Sequence, residues 1–142
     1  MSTTVPLART VAFEGVHPIL RVKSVADSQR YYVDVLGFKV DWDAPYFASV
    51  SRGGCHIFLS QGDQGHPGAW VWIGVEDCGA LFEEYKSAGA KIRHPPTNYP
   101  WAREMQVEDP DGNILRMGSD SIKNEPLGEW LDMYGKTWPP QP

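Results

Sequence analysis

The chain has 142 residues, enough for one folding unit with a real core. Hydrophobic residues make up 42% and charged residues 22%, an ordinary globular balance, and no apolar run approaches the roughly 20 residues that a membrane-spanning helix needs. A formal charge of -5 without a Lys/Arg cluster offers no electrostatic basis for gripping a phosphate backbone, so neither nucleic acid nor membrane is an expected partner.

The first residues, Met1 to Arg9, lack a basic segment followed by an apolar one, which makes a cytoplasmic location the expectation. Residues 16–22 alternate as a strand. Ser24 or Asp27 then caps a helix whose apolar stripe is Tyr31, Tyr32, Val35 and Leu36, and Gly37 supplies its left-handed end. Strands follow over 38–42, 46–52 and 55–60, with Gly53-Gly54 as a hairpin turn. A polar, Gly-rich connector, 61–68, leads to a second unit in the same order: strand 70–75, helix 79–88, Gly89, and strands 91–92, 103–107 and 114–117. Residues 22–40 lie against 75–92 as an internal repeat, each reading strand end, helix, Gly stop, strand.

One domain over 1–120 is therefore expected, made of two βαβββ modules at about 12–62 and 69–118. Residues 121–142 form a C-terminal extension without a counterpart in the repeat. Two alternatives stay open for it: a short helix over 126–134, or a partly ordered tail. Cys55 and Cys78 have no paired-ligand spacing and read as reduced thiols.

A tandem βαβββ chain with Leu36-Gly37-Phe38 closing its first helix and Asp109-Pro110-Asp111-Gly112-Asn113 turning its last hairpin resembles the vicinal oxygen chelate superfamily. That superfamily includes glyoxalase I, extradiol dioxygenases and bleomycin-resistance proteins. Ala69-Trp70-Val71-Trp72-Ile73 and Pro100-Trp101-Ala102-Arg103-Glu104 look like the bleomycin-resistance branch in particular. The resemblance implies an α+β fold in which the two modules form a curved mixed sheet with a concave cleft.

Metalloenzymes of the superfamily hold a divalent ion with ligands from the first and last strands of each module. Carried over, these positions fall at His17, at or next to Phe58, at Trp70 and at Arg116, and the last three side chains cannot ligate. The expectation is therefore no metal and no other cofactor. His17 is the one ligand candidate in position, and His56, on the same strand face as Phe58, is a second that would need an unidentified carboxylate. The alternative cofactor is one divalent metal ion.

If those positions line the cleft, strand alternation turns Ile19, Arg21, Ser60, Trp72 and Ile114 toward it as well. The candidate ligand-binding residues are His17, Phe47, Phe58, Trp70, Trp72, Trp101, Arg103 and Arg116, an aromatic set suited to planar compounds. Trp42 and Tyr46 would line the opposite side. Either arginine would fix an acidic or carbonyl group, or equally would pair with Glu104, Glu108 or Asp111 as a solvated ion pair. No nucleophile elbow, paired Cys or phosphate-cradling loop is present, so no catalytic residue is assigned.

What the resemblance implies is a metal-independent protein that sequesters a small aromatic or amphipathic molecule, as a homodimer that exchanges an N-terminal arm, here Thr10 to Glu14. One alternative is a divalent-metal-dependent lyase, isomerase or dioxygenase of the glyoxalase type. Another is a protein-interaction module that docks through Trp130 and Trp138 of the extension.

Overall fold

A computed structural model describes residues 9–139. Its first module begins with β1 (Ile19–Arg21), shorter than the expected 16–22 because Val16 and His17 precede the pairing with the neighbouring strand. Ser24, extended, accepts the Asp27 amide at 3.1 Å and so caps α1 (Val25–Arg30). Beyond Arg30 the helix widens into a π turn over Tyr31–Val35, where the Leu36 amide reaches back five residues to the Tyr31 carbonyl at 3.1 Å. Gly37, at φ 76°, ends it. Three strands follow: β2 (Lys39–Ala44), β3 (Phe47–Arg52) and β4 (Cys55–Ser60). They form a sheet in the order β1-β4-β3-β2, with β1 parallel to β4 and the rest antiparallel.

The second module repeats the plan with β5 (Trp70–Gly74), α2 (Cys78–Ala88), β6 (Lys91–Asn98), β7 (Arg103–Glu108) and β8 (Ile114–Ser119), ordered β5-β8-β7-β6. Asp77 caps α2 through the Ala80 amide, and Gly89 closes it in the left-handed region. β6 runs well past the expected 91–92 and takes in His94 and the two prolines after it. It is an edge strand, and its register shifts on both sides of His94 accommodate Pro95 and Pro96.

The α+β fold of two βαβββ modules is thus as expected, its mixed sheet built as two four-stranded parts that both send their inner faces into one apolar core. Leu20, Ile57 and Leu59 come from the first sheet, Met105, Val107 and Met117 from the second, and Tyr32, Leu36 and Tyr85 from the helices. Polar contacts stitch the modules together at both ends of that core. The Tyr32 hydroxyl donates to Asp109 at 3.0 Å, and the Tyr85 hydroxyl donates to the Leu36 carbonyl at 2.8 Å. Arg52 spans to Glu84 with two hydrogen bonds, at 2.7 and 3.0 Å.

The extension forms no helix over 126–134. It crosses the second sheet as an irregular strap. Buried Asn98 anchors it, donating to the Ile122 and Glu125 carbonyls and accepting the Ile122 amide at 2.8 Å. Beyond Gly128, whose amide donates to the Asn98 carbonyl, a small hairpin closes through the Leu131–Thr137 bridge, its turn held by Asp132. Among the described residues no helix is long and apolar enough to cross a membrane.

Candidate functional site

Because both inner faces serve one core, the outer face of each sheet lies outside it, and each carries its own aromatic group. On the first sheet, Trp42, Phe47 and Phe58 form a triangle of rings with centroids 5.5 to 5.8 Å apart. His17 lies edge-on to Phe58 at 4.9 Å and stacks on His56 at 5.0 Å. A bulge in β2 is responsible for the polar part of this face. Val40 pairs with Val50 and Trp42 with Ser49, so Asp41 is the extra residue, and both it and Trp42 turn outward. Asp41 accepts the Ser51 hydroxyl at 2.6 Å and the Ser49 hydroxyl at 3.0 Å, and lies 3.1 Å from His56 Nδ1. The Ser51 hydroxyl is the chief reason that this carboxyl is held below its ordinary range, against a desolvation penalty that Ser49 and His56 help to offset.

On the second sheet, Trp70 and Trp72 occupy successive outward positions of β5. Trp72 lies flat on the strands: a Cβ on Gly118 would meet its ring at 2.9 Å. Glu104 is only 2% exposed, yet on this outward side of β7 it pairs with Arg116 of β8 through two hydrogen bonds, at 3.0 and 3.2 Å. The Trp101 indole N–H donates to the same carboxylate at 2.7 Å. Trp101 stacks on Tyr99 at 4.9 Å, and Trp130 from the strap meets both edge-on while covering the Arg116 guanidinium at 4.4 Å. Arg93, from the far edge strand β6, reaches across β7 and β8 to lie 5.3 Å from the Trp70 ring, which is the concavity the resemblance implies.

The eight ligand-binding candidates therefore fall into separate groups. His17, Phe47 and Phe58 share the first face, and Trp70, Trp72, Trp101 and Arg116 share the second. Among the described residues no ring of one group packs against a ring of the other. Arg103 joins neither. It alternates with the core residues Met105 and Val107, on the helix side of β7, and pairs there with Glu125 of the strap. Of the ion-pair partners weighed in the sequence, Arg116 takes Glu104. Trp130, considered there as a docking residue for another protein, is turned inward. Asp41, Tyr99 and Trp130 went unassigned to the site because a bulge, a buried turn tyrosine and a folded-back tail leave no periodic signal.

The metal fits poorly. At the four inherited positions stand His17, Phe58, Trp70 and Arg116, and the last is committed to Glu104. The carboxylate that His56 would need is Asp41, but it is occupied by two hydroxyls. Among the described residues no three His, Cys, Asp or Glu side chains converge as a ligand set. Cys78 is not a nucleophile candidate, since burial pushes its thiol up to about 11. A groove of about 520 Å³ opens beside Cys55, Ile73 and Leu81, on the helix side of the sheets and apart from both aromatic faces.

Two tandem βαβββ modules are the architecture of the glyoxalase/bleomycin resistance protein/dioxygenase superfamily. The family model matches residues 15–117, and the chain belongs to that superfamily. Among solved structures it is similar to the bleomycin-binding protein of bleomycin-producing Streptomyces verticillus, complexed with copper(II)-bleomycin: 30% identity, TM-score 0.68, covering 78% of this chain and 99% of that one. TnmS3, an antibiotic-binding protein from Streptomyces sp. CB03234, shares the fold at 23% identity and TM-score 0.68, with the same coverage of 78% and 99%. A glyoxalase/bleomycin resistance protein/dioxygenase from Nocardioides shares it at 18% identity and TM-score 0.63, covering 86% of this chain and 93% of that one. No curated protein matches the chain.

Proposed function

We propose that the protein binds and sequesters a planar aromatic small molecule without turning it over and without a metal ion. One observation carries the reading: the inherited metal positions have become parts of aromatic faces, with Phe58 inside the Trp42–Phe47 cluster and Trp70 and Arg116 on the Trp-rich face of the second sheet. Stacking on such faces adds about 0.5 to 1.5 kcal/mol per ring pair beyond simple area burial. The 30% identity to a protein that holds copper(II)-bleomycin supports an antibiotic-like ligand class.

The two faces do not meet within one chain, which supports a homodimer in which the first sheet of one copy faces the second sheet of the other. The arm preceding β1 supports the same assembly, since Val11 is 83% and Phe13 97% exposed with nothing among the described residues to cover them. Thr10 to Glu14 is then the segment exchanged.

The test is metal analysis of untagged protein prepared without chelator, followed by a tryptophan-quenching screen of planar compounds. Saturable quenching by protein free of stoichiometric metal is the expected outcome. One tightly held ion per chain, lost in His17→Ala, would overturn it in favour of a metal-dependent lyase or dioxygenase.

A further inference from the structure

The family model ends at residue 117, and the strap begins just beyond it. What the strap does is visible in its contacts with the two arginines of the second face. Trp130 covers the Arg116 guanidinium at 4.4 Å while Glu104 binds its edge. The Asp132 and Met133 carbonyls accept hydrogen bonds from Arg93 Nη2, and Gln106 accepts one from Nη1. Without the strap, Arg116 would keep Glu104 and Arg93 would keep Gln106, but the open face of the one and the Nη2 of the other would be exposed to an anion. The strap adds the Trp130 indole over Arg116 and the Asp132 and Met133 carbonyls at Arg93 Nη2, to the Glu104 and Gln106 side chains of β7 that already hold the other donors. What remains open to a ligand is aromatic: Trp101 is 56% and Trp72 53% exposed.

The strap is also built to stay. Asn98 is buried and spends its amide on Ile122, Glu125 and Ser121, and Arg103, its cross-strand partner, pairs with the Glu125 side chain. Trp138 donates its amide to the Trp130 carbonyl at 2.7 Å, fixing the residue that does the covering.

We propose that the C-terminal strap, acting through Trp130, is a specificity-determining wall of the second-sheet cleft, and that by covering Arg116 and engaging Arg93 it makes the cleft select uncharged planar ligands over anionic ones. This rests on the reading of the protein as a binder of planar molecules. It goes beyond that reading by assigning a ligand charge class and the element that sets it.

The test uses two probes that differ by one sulfonate: N-phenyl-1-naphthylamine, neutral, and 8-anilino-1-naphthalenesulfonate, anionic. Each is titrated into the full-length protein, into Trp130→Ala and into Trp130→Phe, with thermal melts and circular dichroism confirming that each variant is folded. The intact protein is expected to prefer the neutral probe. In Trp130→Ala the preference should move toward the sulfonate by roughly three- to tenfold, the scale of one lost aromatic contact together with an uncovered guanidinium. Trp130→Phe should restore most of it. An unchanged ratio in folded Trp130→Ala would overturn the inference while leaving the binding function standing. So would a tighter grip on both probes, because the strap would then be a plug. If the intact protein binds neither probe, nor any planar compound in the quenching screen, the binding function itself fails and the inference with it.

Discussion

Asp109 accepts four hydrogen bonds while only 1% exposed. Two come from the Asp111 and Asn113 amides and one from the Asn113 side chain, each at 2.9 Å, and the fourth is from the Tyr32 hydroxyl. Burial raises the carboxyl above its ordinary range, and the donors around it, Asn113 first, pull it back. Asp109→Ala would leave the fully buried Tyr32 hydroxyl and the Asn113 amide without their acceptor, so a loss of about 3 to 5 kcal/mol in urea denaturation is expected. Asp109→Asn keeps one acceptor oxygen and removes the buried charge, and should cost about 1 to 2 kcal/mol. Equal losses in the two variants would show that charge, not hydrogen bonding, is what the site needs. The run Asp109 to Asn113 is legible as a turn from residue types alone. That it is also a clasp between modules is not, because its partners Tyr32 and Arg21 lie 77 residues from Asp109 and 92 from Asn113 respectively.

Elements with regular periodicity were the readable ones. Strands β3, β4 and β7 and helix α2 begin and end within a residue of where alternation and the Gly89 stop put them. Irregular elements were not. The double proline in β6 reads as a breaker because the tolerance of an edge strand depends on where the strand sits in the sheet. The bulge at Asp41 is hidden for a similar reason: alternation assigns one residue per step, and the extra residue appears only against the partner strand. A pH prediction belongs to that bulge. Asp41 has its folded-state pKa depressed, so its contribution to stability is present above the ordinary carboxylate value near 4 and is lost as pH falls through the lower folded value. The stability difference between the intact protein and Asp41→Asn, read by urea denaturation, should therefore shrink as the medium is acidified from about pH 5 to about pH 2. A difference that stays constant across that window would mean that the ionised carboxylate is not what holds Ser49, Ser51 and His56.

For the whole molecule, the internal repeat made the tandem modules legible, and with them the separation of inner from outer strand positions. It carried no information on how the modules face each other. Sharing one core points both inner faces inward, so the residues that strand alternation assigns to one cleft are divided between two sheets. In the proposed dimer each cleft takes Phe58 from one copy and Trp101 from the other, and this composite can be tested without knowing the natural ligand. Phe58→Ala and Trp101→Ala each spoil both clefts of their own homodimer, so each protein alone should bind poorly any planar probe found in the screen. Unfolded and refolded together in equal amounts, half of the dimers should be mixed, and every mixed dimer pairs one doubly damaged cleft with one intact cleft. About a quarter of all clefts should then regain wild-type affinity, a fraction fixed by two-fold symmetry. Recovery near that level in quenching titrations, with a dimer mass in sedimentation, is the expected result. If the mixture binds no better than its components, each cleft is complete within one chain, and the separation of the two aromatic groups would have to be bridged by movement of the modules instead of by a second copy.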